Sequence, residues 1–222
     1  MFQQNKLFFF AILSLISLFG CIDDKYKNIP DVSGVQVEVK INRFDQALYA
    51  IDTNQVITGI KNLEEKYPEF TDFYLTRALQ IKKPWDTTGV YREYTKGFLT
   101  YPFVRDLHEK VDSVYGDFRE IKEELEQGFQ FYKYYFPEKE IPEFYTMVSE
   151  FTFGIGIPPK GNMMAIGLDL FLGKDFKYYY FPPLSLPKYI GRTQDKAHLS
   201  AQIFEGIVDL SLIHISEPTR PY

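Results

Sequence analysis

The chain has 222 residues, a formal charge of −5 and a heavy load of aromatic side chains, 21 Phe and 17 Tyr. That length suits one ordinary domain, and an acidic balance without any run of basic residues argues against nucleic acid as a partner. A single cysteine rules out an internal disulfide and leaves no spare thiol for nucleophilic chemistry once Cys21 is accounted for.

In chain order, the first feature is the thirteen apolar or small residues Leu7 to Phe19, behind the positive charge of Lys6. A permanent membrane span needs about 20 apolar residues. The run fits the hydrophobic region of an export signal instead. It ends in Leu18-Phe19-Gly20-Cys21, which resembles the lipobox of bacterial lipoproteins. The expectation is a signal peptide over 1–20, an acylated Cys21 as the first mature residue and a polar tether over 21–34. Each acyl methylene buried in lipid is worth roughly 0.8 kcal/mol, so two or more chains hold a protein stably on a membrane.

Val35, Val37, Val39 and Ile41 alternate with polar residues, and this period of two predicts a half-buried strand. Ala47-Leu48-Tyr49 begins a short helix. Asn54 is placed to cap a helix to about Lys66, with Val56, Ile60, Leu63 and Tyr67 on one face and Pro68 as its stop. A second helix, near Thr71 to Ile81, carries Phe70, Phe73, Tyr74, Ala78 and Ile81 inward, and Pro84-Trp85 breaks it. Thr88 to Leu99 repeats the pattern with Val90, Tyr94 and Phe98. Pro102 opens a helix with Val104, Leu107, Val111 and Val114. Asp117 and Glu120 resemble a capping box ahead of a stripe formed by Phe118, Ile121, Leu125, Phe129, Tyr132 and Phe136, which Pro137 ends. Glu123, Glu124 and Glu126 fall off that stripe and read as a solvated face.

After Ile141-Pro142, Phe144 to Phe153 reads as a strand. Gly154 to Gly161 is a Gly/Pro loop without a phosphate-binding pattern. Met163 to Leu172 is almost continuously apolar, as in a strand buried on both faces. Gly173-Lys174-Asp175 turns the chain into an aromatic, proline-rich loop over Lys177 to Pro187, and a last helix starts near Asp195. Leu210 to Arg220, LSLIHISEPTR, resembles an in-frame translation of a sequencing-library adapter. Residues 210–222, His214 included, are therefore expected to be non-native, and 35–209 an incomplete domain. The layout predicts an α+β fold: a helix-rich single domain with a small β-sheet, loosely similar to a degenerate metallopeptidase.

Several stretches together resemble the gliding-motility lipoprotein GldB family of Bacteroidota. They are Ile41 to Leu48 (INRFDQAL), Leu63 to Phe70 (LEEKYPEF), Phe118 to Pro137 ending in KYYFP, Ile141-Pro142, Gly167 to Asp175 (GLDLFLGKD) and Lys188-Tyr189-Ile190. The resemblance implies an exported lipoprotein, lipid-anchored to the inner or the outer membrane of the cell envelope and facing the periplasm, associated with gliding motility and its supporting machinery. It leaves molecular activity open, and it implies a longer chain than 35–209.

Within these stretches Asp169 is the polar residue of most interest. As part of a strand it would share a face with Gly167, and a buried carboxylate must be paired or change its pKa. It is read as a structural group meeting Arg43, a lysine or a backbone N–H, or as a binding residue. Arg43, Asp45 and His198 are the other candidates. His198-Leu199-Ser200-Ala201-Gln202 holds leucine and glutamine where a zinc peptidase motif, H-E-x-x-H, needs Glu and the second His. Glu205 cannot replace both, and His108 lies on another helix. Tyr178, Tyr179, Tyr180 and Phe181 could stack on peptide or sugar, or pack as a loop. No G-x-S-x-G elbow is present. No catalytic residue, metal or cofactor is assigned. The expected partners are a membrane, through acylated Cys21, and envelope proteins. The alternatives are a metallopeptidase-like enzyme with its zinc site in a missing C-terminal part, and a surface module for peptide or glycan.

Overall fold

The structure, a computed structural model, describes residues 29–83, 88–182 and 184–213, with side chains to Asp209. The signal-like run, Cys21, Pro84-Trp85 and His214 lie outside the described residues. From Val35 onward the chain forms one compact unit.

Proline sets the helix boundaries. A short strand, β1 (Ile41–Asn42), leads into α1 (Phe44–Tyr49) and α2 (Val56–Lys66). Pro68 and Pro102 occupy the first position of α3 (Pro68–Phe73) and of α5 (Pro102–Tyr115), where a missing N–H costs nothing. Between them α3 widens into a π-helical turn over Tyr74–Ala78, and α4 covers Tyr91–Thr100. The long α6 (Arg119–Tyr135) then delivers the chain to β2 (Glu143–Met147), β3 (Ile155–Gly156) and β4 (Met163–Gly167). Two 3-10 turns follow, then α7 (Lys188–Gly191) and α8 (Lys196–Ile213).

The four strands form one mixed sheet in the order β1-β2-β4-β3. β1, β2 and β4 are parallel, with Ile41 opposite Phe144 and Thr146 opposite Ile166; β3 is antiparallel to β4. Helices cover both faces, as parallel strands require. Phe144 meets Phe129 of α6, which in turn meets Phe204 of α8. The neighbouring Tyr145 points the other way and stacks on Phe70 of α3 at 4.4 Å, beside Phe44 of α1. The domain is thus a helix-rich α+β unit with a small sheet at its centre.

Several local expectations are corrected. Val35 to Lys40 keeps its alternating burial but is not a strand. Val39 N–H is taken by the Glu126 carboxylate and the Val35 carbonyl by the Gln130 amide, so side chains of α6 stand where a neighbouring strand would be. Asn54 does not cap α2; it turns back onto Asp52. The α4 stripe is shifted by one residue: Tyr91, Thr95 and Leu99 are buried, while Val90 and Tyr94 are exposed. The helix read as Thr71 to Ile81 starts at Pro68. Asp117 accepts the Arg119 N–H instead of closing a box with Glu120, and Phe118 precedes α6 in a left-handed conformation. Glu123 and Glu124 are exposed, as the solvated-face reading expects, although Glu124 also accepts from Ser200; Glu126, half-buried, accepts from the Val39 N–H. Both long strands are half the expected length, because the chain turns at Val148 and again at Leu168, and the Gly/Pro loop contains β3. The backbone of α8 continues through Ile213, into the adapter-like run.

Gly167 marks a close approach. A methyl group there would lie 1.9 Å from the Phe153 carbonyl oxygen, in the turn whose Gly154 carbonyl accepts the Gly167 N–H at 2.7 Å. Gly167→Ala should therefore destabilise the domain by about 3 kcal/mol through overpacking. Urea unfolding checks this, and a loss under about 0.5 kcal/mol would contradict so tight a contact.

Candidate functional site at the strand ends

The three parallel strands end along one edge of the sheet, the edge at which open α/β sheets hold ligands. β1 delivers Arg43 and Asp45, β2 delivers Ser149, Glu150 and Phe151, and β4 delivers Asp169. Helices α1 and α5 add Tyr49, Arg105 and His108.

Asp45 sits in the first turn of α1, where a negative charge suits the helix N-terminus, and it is fully buried. Arg43 grips it in a fork: Nε donates to Oδ1 at 2.9 Å and Nη2 to Oδ2 at 2.7 Å. Thr146 of β2 donates its hydroxyl to Oδ1 at 2.5 Å. The other guanidinium nitrogen donates to the Gly116 carbonyl at the end of α5, and the guanidinium lies over the Phe118 ring at 5.5 Å. Asp112 stands 3.7 Å away and also takes the Gln46 amide at 2.6 Å. The pair expected as a candidate site is thus a latch that joins β2, α1 and the α5–α6 turn.

Asp169 is also fully buried, but on a 3-10 turn and not on the strand face with Gly167. Its carboxylate accepts the Ser149 N–H at 3.1 Å, the Phe151 N–H at 2.5 Å and the Ser149 hydroxyl at 3.4 Å. Arg43 and the lysines are not among its partners; of the readings open from sequence, the backbone N–H is the one observed. This grip explains the corner that follows β2. Glu150 and Phe151 are consecutive left-handed residues at φ 54° and 64°, an arrangement costly for side chains larger than glycine. Burial nevertheless pushes the Asp169 carboxyl up from 3.8 to about 6, against the pull of its hydrogen bonds.

Beside these anions lies a stacked pair, Tyr49 and His108, with ring centroids 3.9 Å apart and 16° between planes. Tyr49 is 8% exposed, and its hydroxyl has no protein partner. Burial first, then the charges of Asp169 and Glu150, push that hydroxyl well above its ordinary pKa. His108 Nε2 is likewise buried without a protein partner, and burial lowers its pKa even though Asp45 and Asp112 favour the charged form. Tyr74 opens the π-helical turn and donates to the Val148 carbonyl at 2.8 Å, fixing the last residue before the strained corner. Thr146, Ser149, Glu150, Tyr49 and Tyr74 were not singled out from sequence. An aromatic, β-branched run such as Phe144 to Phe153 hides its turn, because no glycine marks it.

His198 stands apart, exposed at the start of α8, with Nδ1 2.7 Å from Asp195. Leu199 is fully buried, and Gln202 bonds the Thr193 carbonyl. No group of three or more His, Cys, Asp or Glu side chains is placed to hold a metal ion among the described residues. Of the aromatic run, Tyr179 is buried and bonds Asp169 O and Leu172 N, so Tyr178 and Phe181 are its exposed rings. A groove of about 320 Å³ lies elsewhere, between α1 and α2, lined by Ala47, Ile51, Gly59 and Leu63.

Two outcomes test this geometry. Arg43→Ala leaves Asp45 buried without its cation and should cost about 3–5 kcal/mol, whereas replacing both residues with apolar ones of similar size should cost less than the single change; chemical denaturation of both variants checks the ordering. For Asp169, the folded chain holds the proton more tightly than the unfolded chain. Its contribution to stability is therefore complete below about pH 4 and lost as pH rises through about 6. The stability of the parent chain relative to Asp169→Asn should fall by about 3 kcal/mol between pH 4 and pH 7; a difference independent of pH would contradict it.

Neither a curated protein nor a solved structure matches this chain. The family model of the gliding motility protein GldB matches residues 25–217, a span that includes the latch, the corner and His198. Among the described residues no helix is long and apolar enough to cross a membrane. The chain belongs to the gliding motility protein GldB family, a family of cell-envelope lipoproteins.

Proposed function

We propose that this protein is a non-enzymatic component of an envelope assembly of the gliding-motility type. It is fixed by acylated Cys21, faces the periplasm and acts through contacts with envelope proteins. The observation that carries this reading is how the polar groups at the strand ends are used. Asp45 is held by Arg43 and Thr146, and Asp169 by the backbone of the Ser149–Phe151 corner. The carboxylates that would serve as acid, base or ligand are engaged in holding the chain's own turns. His198 pairs with a neighbouring aspartate and has no second histidine one turn on. The family match supplies the envelope setting, and the lipobox-like Leu18 to Cys21 supplies the anchor.

The test is crosslinking of the full-length protein in intact cells of its native host, followed by mass spectrometry of the covalent partners and of the N-terminal peptide. The expected results are a reproducible set of envelope proteins and an acylated N-terminus at Cys21. Crosslinking that recovers no envelope protein above background would overturn the contact role. An N-terminus at Met1 or a bare thiol at Cys21 would overturn the anchor. Stoichiometric zinc in the purified full-length protein would favour a metallopeptidase-like enzyme instead.

A further inference from the structure

Helix α6 carries two aromatic faces of opposite fate. Ile121, Leu125 and Phe129 are buried against the sheet. Phe131, Tyr134 and Tyr135, spaced three and one residues apart near the end of the helix, are 37%, 51% and 58% exposed, and Phe136 just beyond is 53% exposed. Spacings of three and four residues place Phe131, Tyr134 and Tyr135 on one side of the helix. Tyr134 and Tyr135 meet edge to face at 5.1 Å. The turn behind them is held in place: Lys133 Nζ donates to the carbonyls of Pro137 and Lys139 at 2.9 and 2.7 Å, and the Phe136 N–H bonds the Tyr132 carbonyl. Phe136 also packs back against Tyr132 at 5.5 Å, and the four rings leave a preorganised surface largely open to solvent. Nearby charges are of both signs, Lys139 between Glu138 and Glu140.

The chain enters the folded unit next to that surface. The Val35 carbonyl accepts the side-chain amide of Gln130 at 3.2 Å, one residue before Phe131. The polypeptide coming from Cys21 therefore joins the folded unit beside the aromatic end of α6. Thirteen residues stand between Cys21 and Val35, a tether of about 50 Å at most when fully extended. A lipid surface tied on so short a leash is present at high local concentration. Tyrosine and phenylalanine suit the headgroup zone, where an apolar ring is buried and a phenolic hydroxyl stays wet.

We propose that Phe131, Tyr134, Tyr135 and Phe136 rest on the lipid headgroup surface to which Cys21 fixes the chain, so that the domain lies on the membrane by the C-terminal end of α6. The mixed local charge fits zwitterionic headgroups, not a strongly anionic surface. This rests on the anchor reading above.

The test uses full-length acylated protein in phosphatidylethanolamine–phosphatidylcholine vesicles doped with a photoactivatable phospholipid, with adducts mapped by mass spectrometry. Adducts should concentrate on residues 131–136. The triple change Phe131→Ser, Tyr134→Ser, Tyr135→Ser should lower them about tenfold or more, with the thermal melt unchanged. Tyr134→Phe with Tyr135→Phe should retain them. An acylated protein whose adducts are spread evenly, or absent from this segment, overturns the lipid contact and leaves the anchor standing. An unmodified Cys21 peptide removes both. Protection of residues 131–136 that requires added envelope proteins, and not vesicles, overturns the proposal in favour of a protein partner.

Discussion

The ion pair between Arg43 and Asp45 is the interaction on which the arrangement depends. Two residues adjacent to the shortest parallel strand gather groups from three other places in the chain: Thr146 on β2, Gly116 at the end of α5 and the Phe118 ring before α6. β1 has two residues, too few to define its place by ladder hydrogen bonds alone. The latch supplies the missing definition. A buried pair of this kind adds little net stability compared with apolar residues of the same shape, but it penalises every arrangement that separates the partners. That makes it a device for register.

The second constraint is the corner after β2. Two consecutive left-handed residues without glycine are costly, and the Asp169 carboxylate holds them by accepting the N–H groups of Ser149 and Phe151, on either side of Glu150. The same contact joins the ends of β2 and β4, which are already paired along their length. The strand-end edge, which in other sheets of this kind holds ligands, is here filled by the protein's own turn. Tyr49 and His108 stack beside it with buried polar atoms free of protein partners.

Much of the helical part was legible in the sequence. Proline placement and the spacing of Val104, Leu107 and Val111 or Ile121, Leu125 and Phe129 identify helices whatever they pack against. The failures have physical causes. Val35 to Lys40 shows the period of a strand because one side faces a core, yet the groups that satisfy its backbone come from a helix, which the pattern cannot reveal. Thr95 is buried in α4 because its hydroxyl returns to the Tyr91 carbonyl, while the more apolar Val90 and Tyr94 stay outside. Met163 to Leu172 looks like one strand since both the strand and the 3-10 turn after it are buried, and composition does not distinguish them. Asp169 stood out correctly as a buried charge in an apolar run, whereas its partners, being backbone N–H groups, leave no trace in residue identity.

The pairing of β1 with β2 has a consequence for how the chain comes to be folded. Ile41 meets Phe144 across about 100 intervening residues, so closing the sheet carries a long loop and a slow search. In a polypeptide that emerges N-terminus first, the valine-rich segment is delivered long before the strand and the helix that will cover it. Until α6 and β2 arrive, the apolar side of that segment stays uncovered, which leaves the growing chain open to self-association.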